Sequence, residues 1–370
     1  MTDVLLVGAF GQRNPGDDAL LAAFRAALPG ARIAATAADV HRPVEGVRLV
    51  PSGSPAAVAA AVRRSDAVVV GGGTVFKTLP PHTRRAPHDL LRRALLLTWT
   101  ARAAGRPIAL VGVGVGALDD RAARALARRV ASAADLLVVR DAASAQALVE
   151  IGVPGPVRVG ADAAWTLPAA TAGSPRDGVL VVVSHQAGGD AVVRSTAEGL
   201  AALGLPARLV PWQVGGGGRD DLDVARTLRR ELAARGLDAP LLPPPADLDE
   251  AAAQAAAARV VVTARFHGIV AAAFAGTPSV AVDHERKLGA VSAALGQPSV
   301  RPVAPAEDLA QAVRAALARG PATPAAVARQ RALAEDGFRL LRLLVSGGRS
   351  LAEEDVPALP YVPAEPEVIR

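Results

Sequence analysis

The sequence predicts an α/β protein made of two successive doubly wound halves, with ligands expected at strand ends and in the cleft between halves. Three observations predict it. Short Val- and Leu-rich runs bounded by glycine alternate with alanine- and arginine-rich stretches of helical length. The alternation lapses once, around residues 161–178, where TLPAATAGSPRDG reads as a linker, and then resumes. At 370 residues the chain is long for a single core.

The elements follow in order. Val4–Gly8 is a continuous apolar run and reads as the first strand, so MTDVLLVGAFG is not taken for a signal peptide. Asp17–Leu28 reads as a helix, Ala67–Val70 as a strand and His88–Ala104 as a helix. Ile108–Val113 and Leu136–Val139 are strands, each followed by a helix, Arg121–Ala133 and Ala142–Ile151. Right-handed βαβ units are the expected connection. In the second half, strands at Val179–Ser184, Arg208–Pro211, Val260–Thr263 and Ser279–Val282 are separated by helices. Those helices are Ala191–Leu203, Asp221–Arg235, Leu248–Ala257 and an alanine-rich segment ending near Gly276. Two more helices, near Glu307–Ala318 and Ala325–Leu344, complete it. The expected domains are residues 1–165 and 178–346, with residues 347–370 a loosely attached, proline-rich acidic tail.

Composition narrows the function classes. There is no cysteine, which excludes a thiol nucleophile, a disulfide framework and cysteine metal sites, and fits a reducing compartment. No apolar run reaches membrane-spanning length free of charge, so a cytoplasmic protein is expected. Net charge is +6, but the arginines are scattered over many helices without interleaved aromatics, so nucleic acid is not expected as a partner. Attraction to anionic substrates or peripheral contact with anionic lipid remains compatible with that charge. No cofactor or metal is expected, since no ligand cluster has zinc spacing.

The chemistry-bearing stretch is TARFHGIVAAAFAGTPSVAVDHERK, residues 263–287. A strand delivers Arg265 and His267 to a helix start, where free N–H groups and the helix dipole favour an anion. A second strand delivers Asp283, His284 and Lys287. Of 41 Lys+Arg, only Lys77 and Lys287 are lysines, and Lys287 falls in this cluster. Upstream, GQRNPGDDALL holds Asn14 and Gly16 in a tight turn, with Asp17 read as the cap of the next helix and Asp18 left in its first turn. Gly71, Gly72 and Gly73 allow close backbone approach to a ligand, or form a plain turn. Gly112, Gly114 and Gly116 lack dinucleotide spacing. Asp141 reads as a helix cap paired with Arg140. His185 and His284 rank below His267 as chemical candidates, and His41, His82 and His88 read as surface residues. Gly215–Gly218, before Arg219, reads as a mobile loop.

Together these segments resemble the polysaccharide pyruvyl transferase family. The resemblance is carried by NxGDDALL at Asn14–Leu21, Gly71–Gly73, GVGVG at Gly112–Gly116, VRDxxSxxxL at Val139–Leu148, the Asp162 segment, and RFHGIVAAAFAGTPSVAV followed by Lys287. It implies a GT-B-like pair of Rossmann-like domains. It also implies transfer of pyruvate from phosphoenolpyruvate to two hydroxyls of a sugar or lipid-linked saccharide, giving a cyclic ketal and phosphate. Arg265, Phe266 and His267 match the donor-binding segment, and Lys287 would serve the second anion. Asn14, Gly16, Asp17, Gly72 and Gly73 are assigned to substrate binding. His267 and Asp18 are the expected acid and base. The chain departs from the family pattern at Val183-Ser184-His185-Gln186, where an arginine is common; a replacement from Arg219, a different donor or lost activity are the readings. A second departure is Asp283-His284-Glu285-Arg286, where an aromatic residue is commoner. Two rivals stand beside this reading: a nucleotide-sugar glycosyltransferase of the same fold, with Trp212 and Asp283 as weak stand-ins for base and ribose contacts, and a non-catalytic relative.

Overall fold

The computed structural model describes residues 2–80, 83, 85–154, 157–168, 176–215, 220–347 and 361–362. The first part of the chain runs β1 (Asp3–Phe10), α1 (Pro15–Ala27), β2 (Arg32–Ala37), β3 (Val47–Pro51), α2 (Pro55–Arg64), β4 (Ala67–Gly71) and β5 (Thr74–Phe76). It continues through α3 (Asp89–Ala103), β6 (Ile108–Val115), α4 (Arg121–Ser132), β7 (Leu136–Val139), α5 (Ala142–Glu150) and β8 (Val157–Val159). The second part runs β9 (Val179–Val182), α6 (Asp190–Ala201), β10 (Ala207–Val210), α7 (Asp221–Ala233), α8 (Leu248–Ala256), β11 (Val260–Thr263) and α9 (Phe266–Phe274). β12 (Ser279–Val282), α10 (Arg286–Ala294), β13 (Ser299–Val300), α11 (Ala306–Arg319), α12 (Pro324–Gly347) and β14 (Tyr361–Val362) close the order.

Two compact units result. One holds the chain up to Gln12, Leu20–Thr166 and everything from Gln330; the other holds Arg13–Ala19 and Leu167–Arg329. The units are therefore not contiguous in sequence, unlike the halves 1–165 and 178–346. The first returns to the chain at α12 because that helix buries Phe338, Leu340, Leu341 and Leu344. Phe338 meets Phe24 of α1 edge-on at 4.9 Å, and the Arg342 guanidinium donates to the Ala27 carbonyl at 3.2 Å.

The first unit's sheet has the order β14-β8-β7-β6-β4-β1-β2-β3, with β5 against β6; β14 is antiparallel and the remaining pairs are parallel. All eight residues of β6 are buried, as a central parallel strand requires. Alternation sorts its side chains. Ile108, Leu110 and Val113 join one core with Val62 of α2, Leu91 and Leu97 of α3, Val130 of α4 and Leu148 of α5. Val111 faces the other way, where Gly337 of α12 comes close to it. Trp165, in one 3-10 turn at Ala163–Thr166, is fully buried, so structure persists into the first residues of the segment read as a linker. Residues 169–175 of that segment lie outside the described residues.

The second unit has a wholly parallel sheet, order β10-β9-β11-β12-β13. Val179, Val181, Val260, Val262, Val280 and Val282 form its core with α6, α7 and α11. With aromatics at 3% of the chain, both cores are built from valine, leucine and alanine.

The structure adds elements the sequence reading passes over. β2 and β3 lie where alanine-rich or half-exposed sequence gives no clear strand period, and α2 and α10 are short helices of ten and nine residues. Of the tail's described residues, Tyr361 and Val362 pair with Arg158 and Val157 on the sheet edge.

Candidate functional site

The second unit gathers the site at the carboxyl ends of β11 and β12. β11 ends at Thr263, whose hydroxyl accepts from the Arg265 amide at 3.0 Å and so turns the chain into α9. Arg265 precedes that helix in extended conformation, and Phe266 and His267 open it. Phe266 is buried with its ring edge-on to His267, 5.3 Å between centroids. β12 leads through Asp283 and His284 to α10, where Lys287 pairs with Glu285 at 2.5 Å. Burial lowers the His284 imidazole from its ordinary value, with Lys287 and Arg265 adding to the effect.

The segment Arg13–Ala19 belongs to this same unit. Its cap differs from the sequence reading. Pro15 opens α1, so Asn14, not Asp17, stands at the cap. The Asn14 side-chain oxygen accepts from the Gly16 amide at 3.1 Å, and its carbonyl accepts from the Asp17 and Asp18 amides. The Asn14 amide donates to the Asp17 carboxylate at 2.8 Å. Asp17 is thereby freed from capping. Loss of water pushes its carboxyl up from the ordinary value, while His267, Lys287 and Arg265 pull it down and Asp18 adds to the rise. Gly16 explains how α1 comes so near: a Cβ there would overlap the His267 ring. The structure thus brings Gly16 against His267, with Asn14, Asp17 and Asp18 on the same turn and Arg265 and Lys287 within electrostatic reach of Asp17.

Gly72 and Gly73 belong to the first unit, in the turn from β4 to β5. Both have positive φ, +67° and +72°, and the Gly73 carbonyl accepts from the Gly114 amide at 2.8 Å. Gly72 also lies so close to Leu20 that a Cβ would crowd it. The local geometry is that of a turn. Asp141 caps α5, accepting from the Ser144 amide at 2.7 Å, and pairs with Arg140 at 3.3 Å, as the sequence predicts.

One central residue was missed. Asp221, the first residue of α7, is fully buried and gathers five donors. They are the His185 ring Nδ1 at 2.7 Å, the His185, Trp212 and Gln213 amides at 2.9, 3.2 and 2.9 Å, and one Arg265 terminal nitrogen at 2.6 Å from both oxygens. Burial alone would raise this carboxyl, but the His185 hydrogen bond and the Arg265 charge outweigh it and bring it to about 2. The signal was present in the sequence. Asp220 already caps α7, accepting from the Leu222 and Asp223 amides, so a second adjacent acid is surplus to capping. Arg265 is therefore held by a carboxylate already. Its remaining terminal nitrogen reaches only the Gln213 side-chain oxygen at 3.5 Å, and its Nε is buried without a hydrogen-bond partner among the described residues. Gln186 is anchored through its amide to the Ser184 hydroxyl. Arg219 and Gly216–Gly218 lie outside the described residues, as does His82.

No group of three or more His, Asp or Glu side chains able to hold a metal occurs among the described residues. No described helix is long and apolar enough to cross a membrane.

Comparison with solved structures establishes the fold. S. aureus MnaA in a co-structure with UDP aligns with a TM-score of 0.62 at 12% identity, covering 93% of this chain and 96% of that one. Anabaena HepE in complex with UDP and glucose aligns at 0.60 and 16% identity, covering 93% and 97%. UDP-GlcNAc 2-epimerase from Neisseria meningitidis bound to UDP-GlcNAc aligns at 0.58 and 11% identity, covering 92% and 100%. The shared architecture is GT-B-like, as expected from the sequence. No curated protein matches the chain by sequence. The polysaccharide pyruvyl transferase family model matches residues 14–286, from the Asn14 cap through Arg265 and His267 to the start of α10, and the chain belongs to that family.

Proposed function

We propose that this protein transfers pyruvate from phosphoenolpyruvate to a saccharide diol, forming a cyclic ketal and releasing phosphate. Family membership supports the transferase class, and one observation supports the site: the α1 start packs against the His267 ring so closely that a Cβ on Gly16 would overlap it. Phosphoenolpyruvate brings a phosphate and a carboxylate, which need separate cations. The buried Nε edge of Arg265 supplies one, assisted by the α9 N-terminus, and Lys287 supplies the other by exchanging its Glu285 partner for the anion. The methylene carbon takes up a proton, one sugar hydroxyl adds to the adjacent carbon, phosphate leaves and the second hydroxyl closes the ring. Of the two hydroxyl protons, one ends on the new methyl group and the other departs with phosphate. His267 and the acids of the α1 start, Asp17 and Asp18, divide these two transfers.

The test is phosphate release from phosphoenolpyruvate across a panel of lipid-linked and nucleotide-linked sugars. His267→Ala is expected to lower turnover by about 100-fold or more with the fold intact by circular dichroism. Unchanged turnover would remove His267 from the chemistry. A second reading draws on the UDP bound in the similar structures: a nucleotide-sugar transferase. Release of nucleoside diphosphate, with phosphoenolpyruvate left intact, would favour it.

A further inference from the structure

The chain's positive charge is concentrated on one helical layer. α2, α3 and α4 lie side by side, their apolar faces in one core with the first unit's sheet. Together they carry nine arginines, all exposed, against a single carboxylate, Asp89. That is a net +8, more than the +6 of the whole chain, so the rest of the protein is net negative. Asp89 is taken up by Arg93 at 3.1 Å, and the nearby Asp120 caps α4 and contacts His88. In the sequence these arginines look scattered. The sheet topology brings them onto one face.

The same face carries two of the three large apolar side chains exposed among the described residues. Leu96 is 55% and Trp99 57% exposed. With Arg92 they form an i, i+4, i+7 stripe on the outer side of α3. Single exposed apolar residues are ordinary. A tryptophan and a leucine on one crest, in a chain with 3% aromatics and among unmatched arginines, are not. Arginine stems and indole rings are suited to the headgroup layer of a bilayer, where one end is apolar and the other wet.

We infer that the outer face of α2–α4 docks peripherally on an anionic lipid bilayer. The arginines meet lipid phosphates, and Trp99 and Leu96 enter the headgroup boundary. Charge complementarity selects this occupant. A second copy would set arginine against arginine, and a zwitterionic bilayer would not repay the exposed charge.

The three tryptophans make the test direct. Trp165 is fully buried and Trp212 is 2% exposed, so acrylamide quenching of the full chain reports on Trp99. The protein is mixed with vesicles of phosphatidylcholine alone or with phosphatidylglycerol, and binding is read by flotation and quenching. Expected are flotation with the anionic vesicles only, protection of Trp99, and loss of both in high salt. Arg92→Gln with Arg124→Gln and Arg128→Gln should lower partitioning by about 100-fold, roughly fivefold for each arginine near the surface. These side chains are exposed, so circular dichroism should show the triple variant folded. No flotation, binding that leaves Trp99 equally quenchable, an unaffected triple variant, or preference for a DNA duplex over vesicles would each overturn the inference. None of these readouts involves phosphoenolpyruvate or turnover.

Discussion

Gly16 shows how much one absent methyl group decides. It sits in the first turn of α1 with ordinary helical backbone, where alanine would be favoured by propensity alone. The imidazole of His267 occupies the space its Cβ would need. Gly16→Ala is therefore expected to cost about 1–3 kcal/mol of stability through overpacking, because the overlap reaches back to the His267 Cβ, while displacing the imidazole. Turnover should fall by about tenfold or more, since misplacement of reacting groups by about 1 Å is costly. Full activity in that variant would mean His267 does not work from this position. The neighbouring acids obey the same logic. Asn14 caps the helix, so Asp17 faces the cations instead. Sequence alone could pair the two motifs only by analogy, because more than 240 residues separate them.

At the level of elements, α7 carries an unusual load at its N-cap and first residue. Asp220 accepts from the Leu222 and Asp223 amides, and Asp223 returns the favour to the Asp220 amide. This box fixes the helix start, and the helix start aims Asp221 at His185 and Arg265. Asp220→Ala should cost about 1 kcal/mol of stability, as lost caps do, measurable by urea denaturation. It should also loosen Arg265, raising KM for an anionic donor more than it lowers kcat. A variant with unchanged KM would separate the cap from the site. The strands tell the complementary story. β4, β6, β9, β11 and β12 were legible because valine runs bounded by glycine have few other readings. β2 and β3 were not, because Ala-rich and half-exposed segments fit helix and loop equally well.

For the whole molecule, the two units differ in how they should respond to acid. Asp221 titrates at about 2 in the folded chain, below its ordinary 3.8. A depressed carboxyl adds stability that is fully present above its unfolded value and is lost as pH falls through the folded one. The contribution is about 2 kcal/mol, and it belongs to the second unit. Trp212, whose amide donates to Asp221, reports on it; Trp165 reports on the first unit. Single-tryptophan variants should therefore show the Trp212 transition moving to lower denaturant between pH 4 and pH 2. Asp221→Asn should flatten that dependence. Overlaid titrations of the two proteins would show that Asp221 carries no such linkage.

Strand period, glycine placement and the ordered motifs determined the α/β class, two sheets and the family, because strand and glycine signals are local and the motifs keep their order along the chain. Tertiary structure decided what lies far apart in the chain: Asn14–Asp18 beside His267, Asp221 against Arg265, α12 returning to the first unit, and nine arginines on one face. Burial and electrostatics act between side chains in space, and a one-dimensional pattern does not contain the distances on which both depend.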